Sequence, residues 1–206
     1  MLALLPWTWT ATRHVVTLVH EAGHAVVAVL TGRRLSGIRL HRDTSGLTTS
    51  VGRPRGPGMV ATALAGYVAP SALGLGLAWL VATDRVPAAL YAGLGVLAVM
   101  LVFIRNWFGL LVVLASTAGV ALLVWRSDAE VQEAAALVFT WLLLVGGLRT
   151  TVELWSTRRR SRSRTSDADV LARLTRVPAP LWNALFVLVA LAALHPSARL
   201  LARMVG

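Results

Sequence analysis

The chain has 206 residues, 56% hydrophobic and only 14% charged, with 20 basic residues against nine acidic ones and a formal charge of +11. Soluble proteins average roughly 45–50% apolar and about 25% charged residues, so this balance, with a mean hydropathy of +0.69, excludes an ordinary soluble domain and points to an integral membrane protein. The lack of cysteine excludes disulfides, thiolate metal ligands and a cysteine nucleophile. The bases are all arginine and sit between apolar segments; no basic patch carries interleaved aromatics, which argues against nucleic acid as a partner. Arginine without lysine, in a chain rich in Ala, Gly, Val and Leu, suggests a bacterial source and a bacterial cell membrane.

A membrane-crossing helix needs about 20 mostly apolar residues. Residues 1–12 are apolar but have no basic leading region and no cleavage site, so a cleaved signal peptide is not expected. The first span is read at His14 to Thr31. It contains His20-Glu21-Ala22-Gly23-His24. On a helix, histidines four apart project from one face and converge on one metal ion. Glu21 stands about 100° further round, where it reaches a water beside the metal as general base without being a ligand. The motif lies in an apolar run, and an ionisable group at bilayer depth costs at least about 2.5–3.5 kcal/mol. Three polar groups on adjacent turns therefore need a compensating partner, and Zn2+ is one. The bland alternative is a set of polar groups hydrogen-bonded between helices. Small Ala22, Gly23 and Ala25 permit close helix approach.

Residues 36–52 alternate at Ile38-Arg39-Leu40-His41, turn at Asp43-Thr44-Ser45-Gly46 and resume at Leu47 to Val51. This predicts a β-hairpin, with a solvated basic loop as the alternative. Further spans are expected at about Val60–Ala82, Ala88–Ile104, Trp107–Trp125, Val131–Trp155 and Pro180–His195. Asn106 is read as the cap of the fourth. Residues 156–179 form a basic loop whose Arg/Ser run, 158 to 165, lies in water or on anionic headgroups. Within that loop Ser166-Asp167-Ala168-Asp169 starts a short helix, with Asp169 closing a capping box. Connections one, three and five are the basic ones, which places them in the cytoplasm and both termini outside. His14, His41 and His195 read as interface residues, and the eight tryptophans as an aromatic belt.

The segment Val19 to Ala25, with Thr31-Gly32, Ile38–Leu40, Ser45-Gly46-Leu47-Thr48 and Leu64-Ala65-Gly66-Tyr67-Val68-Ala69-Pro70, resembles the site-2 protease family of intramembrane zinc metallopeptidases, most closely its compact bacterial members. The likeness is strong over residues 14–75 and weaker beyond. It implies that His20 and His24 ligate zinc, that Glu21 activates water, and that an aspartate before the last helix is the third ligand. The family usually carries that aspartate in Asp-Gly, and no aspartate here precedes glycine. Asp167 is the favoured position, with Asp169 and Glu153 as the alternatives.

The expectation is one polytopic all-α membrane domain over residues 1–206, with about six transmembrane helices and a small β-hairpin after the first. It would be a zinc metalloendopeptidase acting on transmembrane protein substrates among membrane lipids. The rival reading is a protein of the same fold that has lost proteolysis and serves as a chaperone or binding partner. The intact His-Glu-His set opposes that reading and the missing Asp-Gly favours it. A small metal-binding protein or transporter would want polar residues on several spans, and here they concentrate on the first.

Overall fold

The computed structural model describes residues 6–160 and 164–203. Helix α1 (Pro6–Leu30) leads into strands β1 (Arg34–Leu40) and β2 (Gly46–Val51). There follow α2 (Pro57–Ala82), α3 (Val86–Phe103), α4 (Trp107–Arg126), α5 (Ala129–Arg160), the short α6 (Asp167–Thr175) and α7 (Ala179–Ala202). Helices α2, α3, α4, α5 and α7 are long and apolar enough to cross a membrane. Helix α1, at 25 residues, is also long enough, but its polar motif lowers its hydropathy. The protein is an all-α integral membrane protein with one small sheet.

Outward side chains such as Val99, Val102, Leu111 and Leu188 are exposed, as expected where the solvent is lipid. Helix α4 is the extreme case, with only Gly109 and Val113 buried. The helical core is α2, which packs against α1, α5, α6 and α7. Close contact comes from small residues. A Cβ on Gly23 would overlap Ala69 and approach the Ala65 carbonyl, and one on Gly74 would press on Leu144.

The hairpin is antiparallel, pairing Arg34 with Val51 and Leu40 with Gly46, with a bulge between Leu35 and Gly37. It does not stand off as an ordinary connection between spans. It folds back along α1, burying Ile38 and Leu40 with Leu18, Ala25, Leu97 and Met100. Seven strand residues reach about 23 Å, and the turn arrives beside Thr17, whose hydroxyl donates to the Thr44 carbonyl at 2.8 Å. The other edge of β1 is also occupied. Ile38 bridges to Ile104, and the Arg105 N–H donates to the Ile38 carbonyl at 2.9 Å.

Several expectations need correction. Helix α1 begins at Pro6 rather than His14, and α5 runs on to Arg160, into the stretch read as loop from residue 156. Asn106 stands at the start of α4 but makes no side-chain capping bond. Its amide instead donates to the Leu40 carbonyl at 2.6 Å, and its oxygen accepts from the Leu40 N–H at 3.1 Å. A side-chain amide has the donor and acceptor needed to imitate a neighbouring strand. The last helix also continues past His195 and Pro196 to Ala202. Proline removes one backbone bond, the one to the Ala192 carbonyl, an interruption that membrane helices tolerate. Within the Arg/Ser run, residues 161–163 lie outside the described residues.

Candidate metal centre

Three elements meet at the motif. Helix α1 brings His20, Glu21 and His24; α2 brings Thr62, Gly66 and Tyr67; the first residue of α6 is Asp167. His20 Nε2 lies 3.1 Å from His24 Nε2. Asp167 Oδ2 lies 3.2 Å from the first nitrogen and 3.3 Å from the second. A tetrahedral ion with bonds of about 2.0–2.1 Å sets neighbouring ligand atoms about 3.3 Å apart. The triangle of donor atoms therefore has the size that zinc requires, and these three residues form a group able to hold a metal.

Hydrogen bonding strengthens the case. His24 Nδ1 sits 2.7 Å from the Thr62 carbonyl. A carbonyl only accepts, so Nδ1 carries a proton, and in the neutral ring it is Nε2 that presents a lone pair to the other two donors. In that tautomer a cation between the ring nitrogens and the carboxylate satisfies all three donors. A backbone carbonyl behind a ligating histidine is also the usual way to fix its ring and raise its basicity. His20 is held differently, edge-on to the Tyr67 ring at 4.7 Å between centroids, with Tyr67 stacked on Phe186 of α7 at 4.8 Å. Gly66 makes room for both imidazoles, because a Cβ there would overlap His24 Nε2 and crowd His20 Cε1.

Asp167 arrives by a local device. Ala168 and Leu171 are fully buried against Ala63, Leu154, Ala179 and Phe186, which seats α6 on α2, α5 and α7. The Ser166 N–H donates to the Asp169 carboxylate at 3.2 Å, and Arg158 from the end of α5 pairs with the same side chain. Asp169 is thus occupied in starting the helix, while Asp167, two residues earlier, turns to the histidines. Glu153 joins neither group. It accepts from Trp9 Nε1 at 2.8 Å and pairs with Arg149 at 3.0 Å and Arg13 at 3.3 Å.

Glu21 is 4% exposed and outside the ligand triangle. The Thr48 hydroxyl of β2 reaches its Oε2 at 2.6 Å and its backbone carbonyl at 3.1 Å. Gly46 lies against the same carboxylate, since a Cβ there would overlap Oε1. Folding the hairpin back along α1 is what delivers both residues.

A family model described as Peptidase M50B-like matches residues 1–196. The chain belongs to the Peptidase M50B-like family. No curated protein and no solved structure matches it. Family membership makes this chain a multi-pass membrane protein of a protease family, and the triangle in this M50B-like chain has the donor set and spacing for zinc. Sequence reasoning gave no role to Thr62, Gly66 or Thr48. The Thr62 contribution is a backbone carbonyl, which leaves no mark in residue type. Gly66 and Thr48 lay inside segments already singled out, but only the tertiary contacts give them work.

Proposed function

We propose that this chain is a zinc-dependent endopeptidase that cleaves transmembrane protein substrates in or near the bilayer, as a multi-pass protein of a bacterial cell membrane. The observation that carries the reading is the 3.1–3.3 Å triangle of His20 Nε2, His24 Nε2 and Asp167 Oδ2, with Glu21 on the adjoining turn. Two imidazoles and one carboxylate are a common catalytic zinc set, leaving a fourth position open. Bound zinc supplies a Lewis acid that polarises the scissile carbonyl and lowers the pKa of a water to about 7.

The chain's own residues do the rest. Glu21 takes the proton of the attacking water and later hands a proton to the leaving amine. Thr48 holds its Oε2 and so aims the carboxylate. The Thr62 carbonyl keeps the His24 proton on Nδ1, away from the ligand position. The exposed, polar residues of the hairpin turn, His41, Arg42 and Asp43, favour water over lipid beside it, and hydrolysis needs that water. A helical substrate hides its carbonyls and must unwind. Both edges of β1 are occupied over Ile38 to Leu40, so the outer edge of β2 is the place for an unwound segment to add as a strand.

The test is zinc content and cleavage of a model transmembrane substrate by purified protein in lipid. Glu21→Gln is expected to keep its zinc and lose about 10²–10⁴-fold in turnover. Cleavage at the wild-type rate by that variant would refute the mechanism.

A further inference from the structure

Away from the metal centre, the described residues hold a concavity of about 390 Å³ between the end of α1 and the start of α2, lined by Thr31, Arg33, Arg53, Arg55, Gly56 and Met59 among others. None of its lining residues is acidic. Arg33 is committed to the fold. Its Nε donates to the Ser50 hydroxyl at 2.9 Å and its Nη1 to the Arg53 carbonyl at 2.6 Å. Arg53 and Arg55 are exposed and make no ion pair among the described residues. Two uncompensated guanidinium groups thus face a hollow of headgroup size, and guanidinium forks match phosphate oxygens well.

The position of the hollow decides between water and lipid. Helix α2 has 26 residues, a length of about 39 Å against a hydrocarbon core of about 30 Å. Its opposite end is marked by Asp84 and Arg85, so its first turns rise into the headgroup layer. At the end of α1, Val26, Val29 and Leu30 are 51, 54 and 78% exposed. They form an apolar strip at helical spacing, which fits the last turn of α1 to lipid. A basic cup at headgroup depth, beside helices that face lipid, matches the phosphate of an anionic phospholipid.

We propose that this hollow binds the headgroup of an anionic phospholipid, and that the bound lipid fixes the base of the hairpin. Arg33 ties the hollow to Ser50 and Arg53, and β2 continues from there to Thr48 and Glu21. Occupancy would therefore be felt where the hairpin holds the general base. The lipid site itself stands whether or not the chain binds zinc.

The experiment uses the full chain in nanodiscs of phosphatidylglycerol or of phosphatidylcholine, with retained lipid counted by native mass spectrometry. Hydrogen exchange is followed across Arg34–Val51. Selective retention of phosphatidylglycerol is expected, together with slower exchange of the hairpin in the anionic discs. Arg53→Gln with Arg55→Gln should weaken retention about 25-fold, from about a factor of five for each arginine. Arg126→Gln, at the far end of α4, should leave it unchanged. Equal retention of the two lipids by the wild type, or wild-type retention by the double variant, would overturn the site. A further arm adds millimolar inorganic phosphate in detergent. If phosphate alone protects the hairpin as fully as the anionic discs do, the ligand is free phosphate and the lipid assignment falls.

Discussion

Asp167→Asn tests the centre most sharply, because it removes a charged donor and leaves the scaffold in place. The three donor atoms stand 3.1, 3.2 and 3.3 Å apart, close to the tetrahedral edge of about 3.3 Å that bonds of about 2.0–2.1 Å impose. Asp167 supplies the only negative charge among the three residues able to hold the metal. Four-ligand zinc sites bind with about 10–16 kcal/mol at neutral pH, or about 2.5–4 kcal/mol per ligand. An asparagine oxygen retains part of the dipole, so affinity should fall by about 10²–10³-fold. Helix α6 should persist, since the Ser166 N–H still meets Asp169 and Leu171 stays buried. The assay is zinc retained against a graded chelator, measured by elemental mass spectrometry, with circular dichroism as the control for folding. An unchanged helical spectrum with lost zinc is the expected result. Zinc affinity within a few-fold of wild type would refute the third-ligand assignment, and loss of zinc in Asp169→Asn instead would move it two residues along.

Gly66→Ala should lower zinc affinity by about 10–100-fold, the scale of damage to ligand orientation, because the added methyl displaces both imidazoles; chelator titration checks it. Glu153→Gln should leave zinc content unchanged yet destabilise the bundle by about 1–3 kcal/mol, less than for a fully buried pair because its partners are partly exposed, as read from thermal unfolding in detergent; zinc loss would make Glu153 a ligand after all. Asp169→Asn tests the start of α6 through pH. Burial opposes ionisation of Asp169, but hydrogen bonds from Arg158 and Ser166 outweigh it and hold the folded pKa below 3.8. Its stabilisation is therefore complete above about pH 4 and lost as pH falls through the folded value. The variant should be less stable than wild type by about 1.5–3 kcal/mol at pH 7, with the gap closing in acid. A gap independent of pH would show that the charge is not what matters.

The membrane class, the helix count and the His-Glu-His face were legible from residues 1–206 alone, because each rests on local periodicity. Apolar length sets a span, and a four-residue spacing puts His20 and His24 on one side of α1 whatever surrounds them. The hairpin's existence was legible for the same reason, as was the Ser166–Asp169 capping box. The alternation within residues 36–52 says nothing, however, about where the strands go. That the hairpin doubles back along α1 depends on Ile38 and Leu40 finding Leu18, Ala25 and Met100, contacts far apart in the chain.

Chain position and the capping role of Asp169 favoured Asp167 over Asp169 and Glu153, but local pattern could not bring any of the three to the histidines. All three are acids near apolar segments, and what separates them is company. Arg158 and Ser166 engage Asp169, Arg13 and Arg149 engage Glu153, and the histidines meet Asp167. The sequence by itself determined which residues are able to bind a metal and on which helix two of them stand. Only the tertiary structure decided which acid joins them, because that depends on how the burial of Ala168 and Leu171 seats α6 against α2, α5 and α7.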